Sequence, residues 1–141
     1  MPIIPALLEQ MITASLQAFA DAQALYLFGS FGTADEWPES DVDIAILLPP
    51  SSAKKAGFLS LHPLRAQLAS LVGREVDLVN LRLLNTVFQK EIVMADRRIC
   101  CADPYAADEF EMLVLSYYQR LNEERAGILQ AFAASGRAYP V

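Results

Sequence analysis

Two short apolar runs in the first third of the chain are joined by a segment with glycine, serine and aspartate at defined places. The runs cover residues 24–28 and 42–48. Apolar runs of this length, bounded by turn-forming residues, predict buried β-strands. The first run ends at Gly29-Ser30, and Asp41 and Asp43 lie at the start of the second. We therefore expect a sheet in which an anion-binding turn stands opposite a pair of carboxylates.

The two aspartates have the spacing of side chains on one face of a strand. Because side chains alternate along a strand, Asp41 and Asp43 point the same way, and without a cation between them each raises the pKa of the other. Carboxylate oxygens are the hard ligands that Mg²⁺ prefers. Gly29 lets the backbone approach a phosphate closely. The N–H groups after it, with the Ser30 hydroxyl, can donate hydrogen bonds to that anion.

A turn for phosphate beside carboxylates for metal suits the transfer of a phosphoryl or nucleotidyl group. The oxygens of a nucleoside triphosphate shield its phosphorus, and metal ions neutralise them while activating the attacking hydroxyl. Asp77, in a strand predicted at 75–79, is the third candidate if that strand pairs with the second in a suitable register. Asp77 would then bind the metal nearer the attacking group or accept the hydroxyl proton.

The remaining pattern predicts an α/β domain with a small mixed β-sheet, helices packed mainly on one face and a long C-terminal helix. Apolar residues at helical spacing predict helices over 3–19, over 54–71 with an irregularity near His62-Pro63, and over 83–94. A fourth, edge strand is expected at 98–101. The last helix is expected over 105–134, opened by Asp103-Pro104 and ended by Gly136.

Length and charge limit the classes of function. The 141 residues suit a single domain, with a core over about 1–102 and a C-terminal interaction helix over about 104–136. The net charge is −6, and the first 53 residues hold seven acidic residues and no Lys or Arg. An acidic half argues against direct binding of nucleic acid, which needs Lys and Arg. It suits cations or a basic protein partner.

Other features point to a cytoplasmic protein with a partner. No apolar run approaches the roughly 18 residues that span a bilayer, and the first residues lack the basic stretch of a signal peptide. The adjacent Cys100 and Cys101 are interpreted as reduced core thiols. The 54% hydrophobic content and the apolar stripe of the last helix favour a homodimer or a heterocomplex over a lone monomer.

The pattern of strand, Gly29-Ser30, Asp41-x-Asp43 on the next strand and Asp77 on a later one resembles the nucleotidyltransferase superfamily of the DNA-polymerase-β type. The short length and the segment 117–125 are similar to minimal nucleotidyltransferases encoded beside a HEPN-domain ribonuclease. That resemblance implies an antitoxin that transfers AMP from ATP to a tyrosine of a HEPN toxin, with two Mg²⁺ ions. The residues it implies are Asp41, Asp43 and Asp77 as catalytic metal ligands, and Gly29 and Ser30 for nucleotide.

The segment after Gly29-Ser30 departs from this family pattern. Relatives often have a polar residue directly after the serine and a second glycine four positions beyond it, where this chain has Phe31 and Ala34. No Arg lies nearby in the sequence to hold the triphosphate. Lys54, Lys55 or Arg82 would have to hold the triphosphate from elsewhere in the chain, or the partner would have to supply the cation.

Two other functions remain open on the sequence. A non-catalytic protein of the same fold could neutralise a basic ribonuclease by covering it, and the acidic first half fits this. A small-molecule nucleotidyltransferase of the antibiotic-modifying kind is the third alternative, although 141 residues leave little for a substrate domain. Glu36 and Glu39 are expected to be solvated.

Overall fold

The computed structural model describes residues 5–37 and 40–135. The predicted helix start at residue 3, Glu39 and the predicted terminator Gly136 lie outside the described residues. The strands are β1 (Ala24–Phe28), β2 (Val42–Leu47), β3 (Val76–Asn80) and β4 (Arg98–Cys101). The helices are α1 (Pro5–Ala18), α2 (Pro50–Lys55), α3 (Phe58–Val72), α4 (Thr86–Met94) and α5 (Pro104–Ser135), with a 3-10 turn at Leu81–Leu83.

The four strands form one mixed sheet in the order β3-β2-β1-β4. β1 pairs antiparallel with both β2 and β4, and β2 pairs parallel with β3. Phe28 lies opposite Asp43, and Asp43 lies beside Asp77. The end of β1 and the beginnings of β2 and β3 therefore meet at one end of the sheet, which we call the site end.

Both faces of the sheet are covered, and the larger core lies on one of them. Alternate residues of β1 and β2, such as Leu27 and Ile44, pack beneath α1, α2 and α3. The intervening residues, such as Tyr26 and Leu47, pack beneath α4 and the first half of α5. The prediction of a mixed α/β domain with a long last helix is confirmed, but helices pack on both faces of the sheet and not mainly on one. The second core explains why strand residues are buried on both sides.

Two predicted helices have different bounds in the structure. The helix expected over 54–71 is broken into α2 and α3 at Ala56-Gly57, where Gly57 is extended. The helix breaks at this point and not near His62-Pro63, since α3 continues through Pro63. The helix expected from residue 83 begins at Thr86, since the Asn85 side chain accepts a hydrogen bond from the N–H of Phe88 and caps the first turn.

The edge strand β4 carries the two cysteines. Cys100 packs against the core beneath α1 and α3, whereas Cys101 packs against the core beneath α4 and α5. Both are free thiols, in line with the prediction, and burial raises the pKa of Cys100. No helix in the described part of the chain is both long and apolar enough to cross a bilayer.

Candidate active site

Gly29 ends β1 in a conformation that only glycine adopts easily. Its φ is 73°, in the left-handed region. A Cβ atom built on Gly29 would lie 2.1 Å from Oδ2 of Asp43. The turn therefore brings the backbone into contact with the carboxylate on the neighbouring strand, and any side chain at this position would push it away.

The three aspartates predicted from the sequence meet at the site end but differ in exposure. Asp43 is half-buried on β2, while Asp77 beside it and Asp41 before β2 are exposed. Burial, then the negative charge of Asp77, then that of Asp41, raise the pKa of Asp43. Two other carboxylates therefore lie near enough to repel the charge of Asp43.

The three side chains are not drawn together as a finished metal site. Within residues 5–37 and 40–135, no three His, Cys, Asp or Glu side chains are grouped closely enough to hold a metal ion. Asp41 and Asp77 are both exposed. Asp41 precedes Asp43 by two residues, and Asp77 lies beside Asp43 on the neighbouring strand β3. Rotation of these two side chains toward Asp43 would complete a set of hard oxygen donors, which fits a cation such as Mg²⁺.

The turn after Gly29 is fixed by its own hydrogen bonds. The Ser30 carbonyl accepts from the Thr33 N–H at 3.0 Å and from the Thr33 hydroxyl at 2.6 Å. The Ser30 hydroxyl donates to Ser40 Oγ at 3.2 Å, which also accepts from the Trp37 N–H at 2.9 Å. Ser30 thus joins the two ends of the loop between β1 and β2.

Two arginines hold this loop, and neither was predicted from the sequence. Arg97 donates to the carbonyl of Gly29 at 3.2 Å and to that of Phe31. Arg74 donates to Glu36 Oε1 at 3.2 Å, and its guanidinium lies 5.3 Å from the Phe31 ring centroid. Their positions beside strands could have pointed to them, because Arg97 directly precedes β4 and Arg74 lies two residues before β3.

Glu36 is not solvated, contrary to the prediction. Its side chain is 7% exposed, and its carboxylate accepts from the Gly32 N–H at 3.2 Å as well as from Arg74. The Gly32 hydrogen bond and the charge of Arg74 lower the pKa of Glu36. A buried carboxylate is kept here because both partners stabilise its charged form.

The cations suggested for the triphosphate lie elsewhere. Arg82 donates to the carbonyl of Leu48 and, at 2.7 Å, to Gln23 Oε1, which places it at the opposite end of β2 from Asp43. Lys54 and Lys55 are on α2, beyond that same end. Asp43 and Leu47 are four steps apart along β2, a rise of about 13 Å, so the suggestion that Arg82 holds the triphosphate is wrong.

An apolar groove opens beside the turn. Its volume is about 830 Å³, and it begins at Phe28 and Gly29. α4 supplies Phe88 and Ile92, and α5 supplies Leu121. The groove thus connects the site end of the sheet with the second half of α5.

A mixed four-stranded sheet with a glycine-serine turn against strand-borne aspartates defines a nucleotidyltransferase fold. Residues 10–105 match the family described as polymerase beta nucleotidyltransferase. The chain belongs to that family.

Known relatives include toxin–antitoxin proteins. The protein adenylyltransferase MntA of Shewanella oneidensis is 32% identical over 117 residues, which are 82% of this chain and 80% of that protein. A crystal structure of a toxin–antitoxin with AMP-PNP matches with a TM-score of 0.73 and 26% identity, over 89% of this chain and 98% of that one. A tri-AMPylated Shewanella oneidensis HEPN toxin in complex with MNT antitoxin matches with a TM-score of 0.69 and 26% identity, over 91% and 97% of the two chains.

Proposed function

We propose that this protein is an antitoxin that transfers AMP from ATP to a tyrosine of a HEPN-type ribonuclease toxin. The contact between Gly29 and Asp43, with Asp77 alongside, carries the proposal, because it sets an anion-binding turn against carboxylates. The relative named protein adenylyltransferase supports the choice of AMP. Because ATP would be the substrate, we assign the reaction to the cytoplasm.

The loop residues would bind the triphosphate. The N–H groups of Ser30 and Phe31 have no hydrogen-bond partner among the described residues, so both are available to phosphate oxygens. Asp41, Asp43 and Asp77 would hold Mg²⁺, which when bound neutralises the phosphate oxygens and steadies the leaving pyrophosphate. Bound Mg²⁺ would also relieve the repulsion that, after burial, raises the pKa of Asp43.

The acceptor step is an in-line displacement. The tyrosine oxygen forms a bond to the α-phosphorus, the bond from that phosphorus to the pyrophosphate oxygen breaks, and pyrophosphate leaves. The phenol has an ordinary pKa near 10, so its proton must be accepted as the new bond forms. Asp77, exposed at the site end, is the carboxylate we assign to accept it.

The partner would lie along α5 and enter the groove. Val114 is buried on the sheet, and steps of seven, seven and four residues lead to Leu121, Ile128 and Phe132 on the same helix face. Ile128 is 51% exposed and Phe132 is 42% exposed. The apolar stripe therefore continues beyond the sheet with nothing of the described chain beneath it, and its near end lines the groove beside Gly29.

Transfer is tested with the purified protein, ATP labelled at the α-phosphate, Mg²⁺ and the HEPN protein encoded beside it. We expect label on a toxin tyrosine, none with Asp41→Asn or Asp43→Asn, and none after removal of Mg²⁺ with EDTA. A wild-type protein that transfers no label under these conditions contradicts the proposal.

A non-catalytic antitoxin is the second candidate. The Gly32 N–H already donates to the Glu36 carboxylate and so is not free for a phosphate. The three aspartates are also not grouped around a cation position. Under this alternative, cells that carry Asp43→Asn remain protected from the toxin. Under the enzymatic proposal they lose protection, provided that the variant still binds the toxin in a pull-down assay.

The docking surface has its own test. We expect Ile128→Ser with Phe132→Ser to reduce label transfer to the toxin while leaving ATP binding and the melting temperature unchanged, since both side chains are exposed. Met112→Ser is the matched control, because Met112 is 70% exposed on the opposite side of the same helix. Equal loss of transfer in both variants would show that the stripe has no special role.

A further inference from the structure

We propose that Arg97 is a positioning residue that shapes the anion-binding turn through its carbonyl groups; this inference rests on the proposed function. Arg97 donates to the carbonyls of Gly29 and Phe31, which flank Ser30 on either side. A planar guanidinium presents donors in a fixed fork. It can hold two carbonyls in one orientation, which a single flexible ammonium cannot do.

The carbonyl directions determine where the N–H groups point. In a trans peptide the carbonyl oxygen and the following N–H lie on opposite sides of the chain. Holding the Gly29 carbonyl toward Arg97 therefore turns the Ser30 N–H away from it. The Ser30 carbonyl accepts a hydrogen bond from the Thr33 hydroxyl at 2.6 Å. This hydrogen bond fixes the direction of the Phe31 N–H in the same way.

The Gly32 N–H shows that this arrangement binds an anion. The Gly32 N–H and the Phe31 carbonyl belong to the same peptide group, and Arg97 donates to that carbonyl. It donates to a carboxylate of the chain itself, Oε1 of Glu36, at 3.2 Å. Three consecutive N–H groups are thus oriented by the loop; that of Gly32 binds Glu36, and those of Ser30 and Phe31 have no hydrogen-bond partner among the described residues, as a site for a phosphate oxygen requires.

The backbone of Arg97 is itself fixed to the sheet. Its carbonyl accepts from the Leu27 N–H at 2.9 Å. Asp96, directly before it, has a φ of 55° and turns the chain into β4. The guanidinium therefore reaches the loop from a strand end next to β1, and its position does not depend on the loop that it holds.

The test compares Arg97→Lys and Arg97→Gln with wild type in three measurements: the dissociation constant of ATP with Mg²⁺, the KM for ATP against kcat, and the amide resonances of Ser30 and Phe31 in the free protein. We expect ATP affinity to fall about tenfold in both variants, the effect of losing about one charge-assisted hydrogen bond. KM should rise with kcat changed less than about threefold, and the two amide resonances should shift.

Arg98 offers a matched control one residue away. It pairs with Asp108 at 2.9 Å and Glu111 at 2.7 Å, away from the loop. Arg98→Lys and Arg98→Gln should leave ATP affinity and KM unchanged. If Arg97→Gln does not fold, Arg97→Lys carries the test, because it keeps the charge and the aliphatic stem.

The outcomes separate this inference from the proposed function. Wild-type ATP affinity in Arg97→Lys, or a fall in kcat at constant KM, overturns the role of Arg97, and so does a wild-type protein that does not bind ATP. If wild type binds ATP without transferring AMP, the proposed function fails while the dissociation constants still decide the role of Arg97.

Discussion

The two ends of strand β2 differ in how their charged side chains are paired. At the site end, Asp43 lies beside Asp77 and against the backbone of Gly29, and burial, followed by the neighbouring carboxylates, raises its pKa. At the far end, Arg82 donates to the Leu48 carbonyl and to Gln23, and its guanidinium lies 5.2 Å from the Phe110 ring centroid.

The difference separates stability from function on one strand. At the far end, a charged donor is paired with acceptors of the same chain, and hydrogen bonds of that kind stabilise the fold. The site end assembles like charges, which costs stability and which the Mg²⁺ of the proposed function would offset. Substitutions at the two ends should therefore have opposite signatures.

The largest effect is expected at the site end. Asp43→Asn should reduce AMP transfer by on the order of a hundredfold or more, because under the proposed function it removes a metal ligand and with it several kcal/mol of transition-state stabilisation. Its free energy of unfolding, measured by urea denaturation without Mg²⁺, should equal or exceed that of wild type because a repelled charge has gone. A variant that is clearly less stable would show that Asp43 stabilises the fold.

Gly29→Ala should damage both activity and stability. The left-handed backbone costs a non-glycine residue about 1 to 2 kcal/mol, and the new Cβ would displace the Asp43 carboxylate. We expect a lower melting temperature and transfer reduced by about tenfold or more. Gly73→Ala is the control, since Gly73 also has a φ of 73° but a Cβ atom built on it would have no neighbour within 4 Å; it should lose stability alone.

Arg82→Met should give the reverse of Asp43→Asn. The variant keeps an unbranched apolar side chain but leaves the Leu48 carbonyl and Gln23 without this donor, a loss of about 1 to 3 kcal/mol. The melting temperature should fall, while transfer per folded molecule stays at the wild-type level. A changed KM for ATP would contradict the separation of the two ends.

The smallest effect is a pH dependence at the site end. Because the pKa of Asp43 is raised in the folded state, the unfolded chain releases this proton first, and stability falls as the pH rises from about 4 through the folded pKa. Solvent reduces the effect, since Asp43 is only half-buried. Wild type should lose stability with rising pH relative to Asp43→Asn, and Mg²⁺ should reduce the difference; parallel pH profiles would contradict it.

Local pattern was enough to predict the strands and the last helix. The runs at 24–28, 42–48, 75–79 and 98–101 correspond to β1 through β4, because short apolar segments between turn residues are a local signal. The neighbouring positions of Asp43 and Asp77 followed once the second and third strands paired in the expected register.

Contacts between distant residues could not be read from the sequence. Arg74 and Glu36 are 38 residues apart, and Arg97 and Gly29 are 68 apart. No periodicity marks such pairs, because they form only after the strands have brought the loop and the cations together. The break at Gly57 was missed for a related reason: Pro63 is the stronger local signal, yet packing decides where the helix ends.

The alternation of β4 turns its cysteines into a probe of the sheet edge. Cys100 and Cys101 face opposite cores, so the two sulfurs cannot bond while the strand stays paired, and neither thiol is fully open to a reagent. Both thiols are partly exposed in the folded protein, and detachment of β4 from β1 would expose them further. The rise in the rate of thiol labelling as denaturant is added would therefore report the opening of this edge, without any engineered reporter.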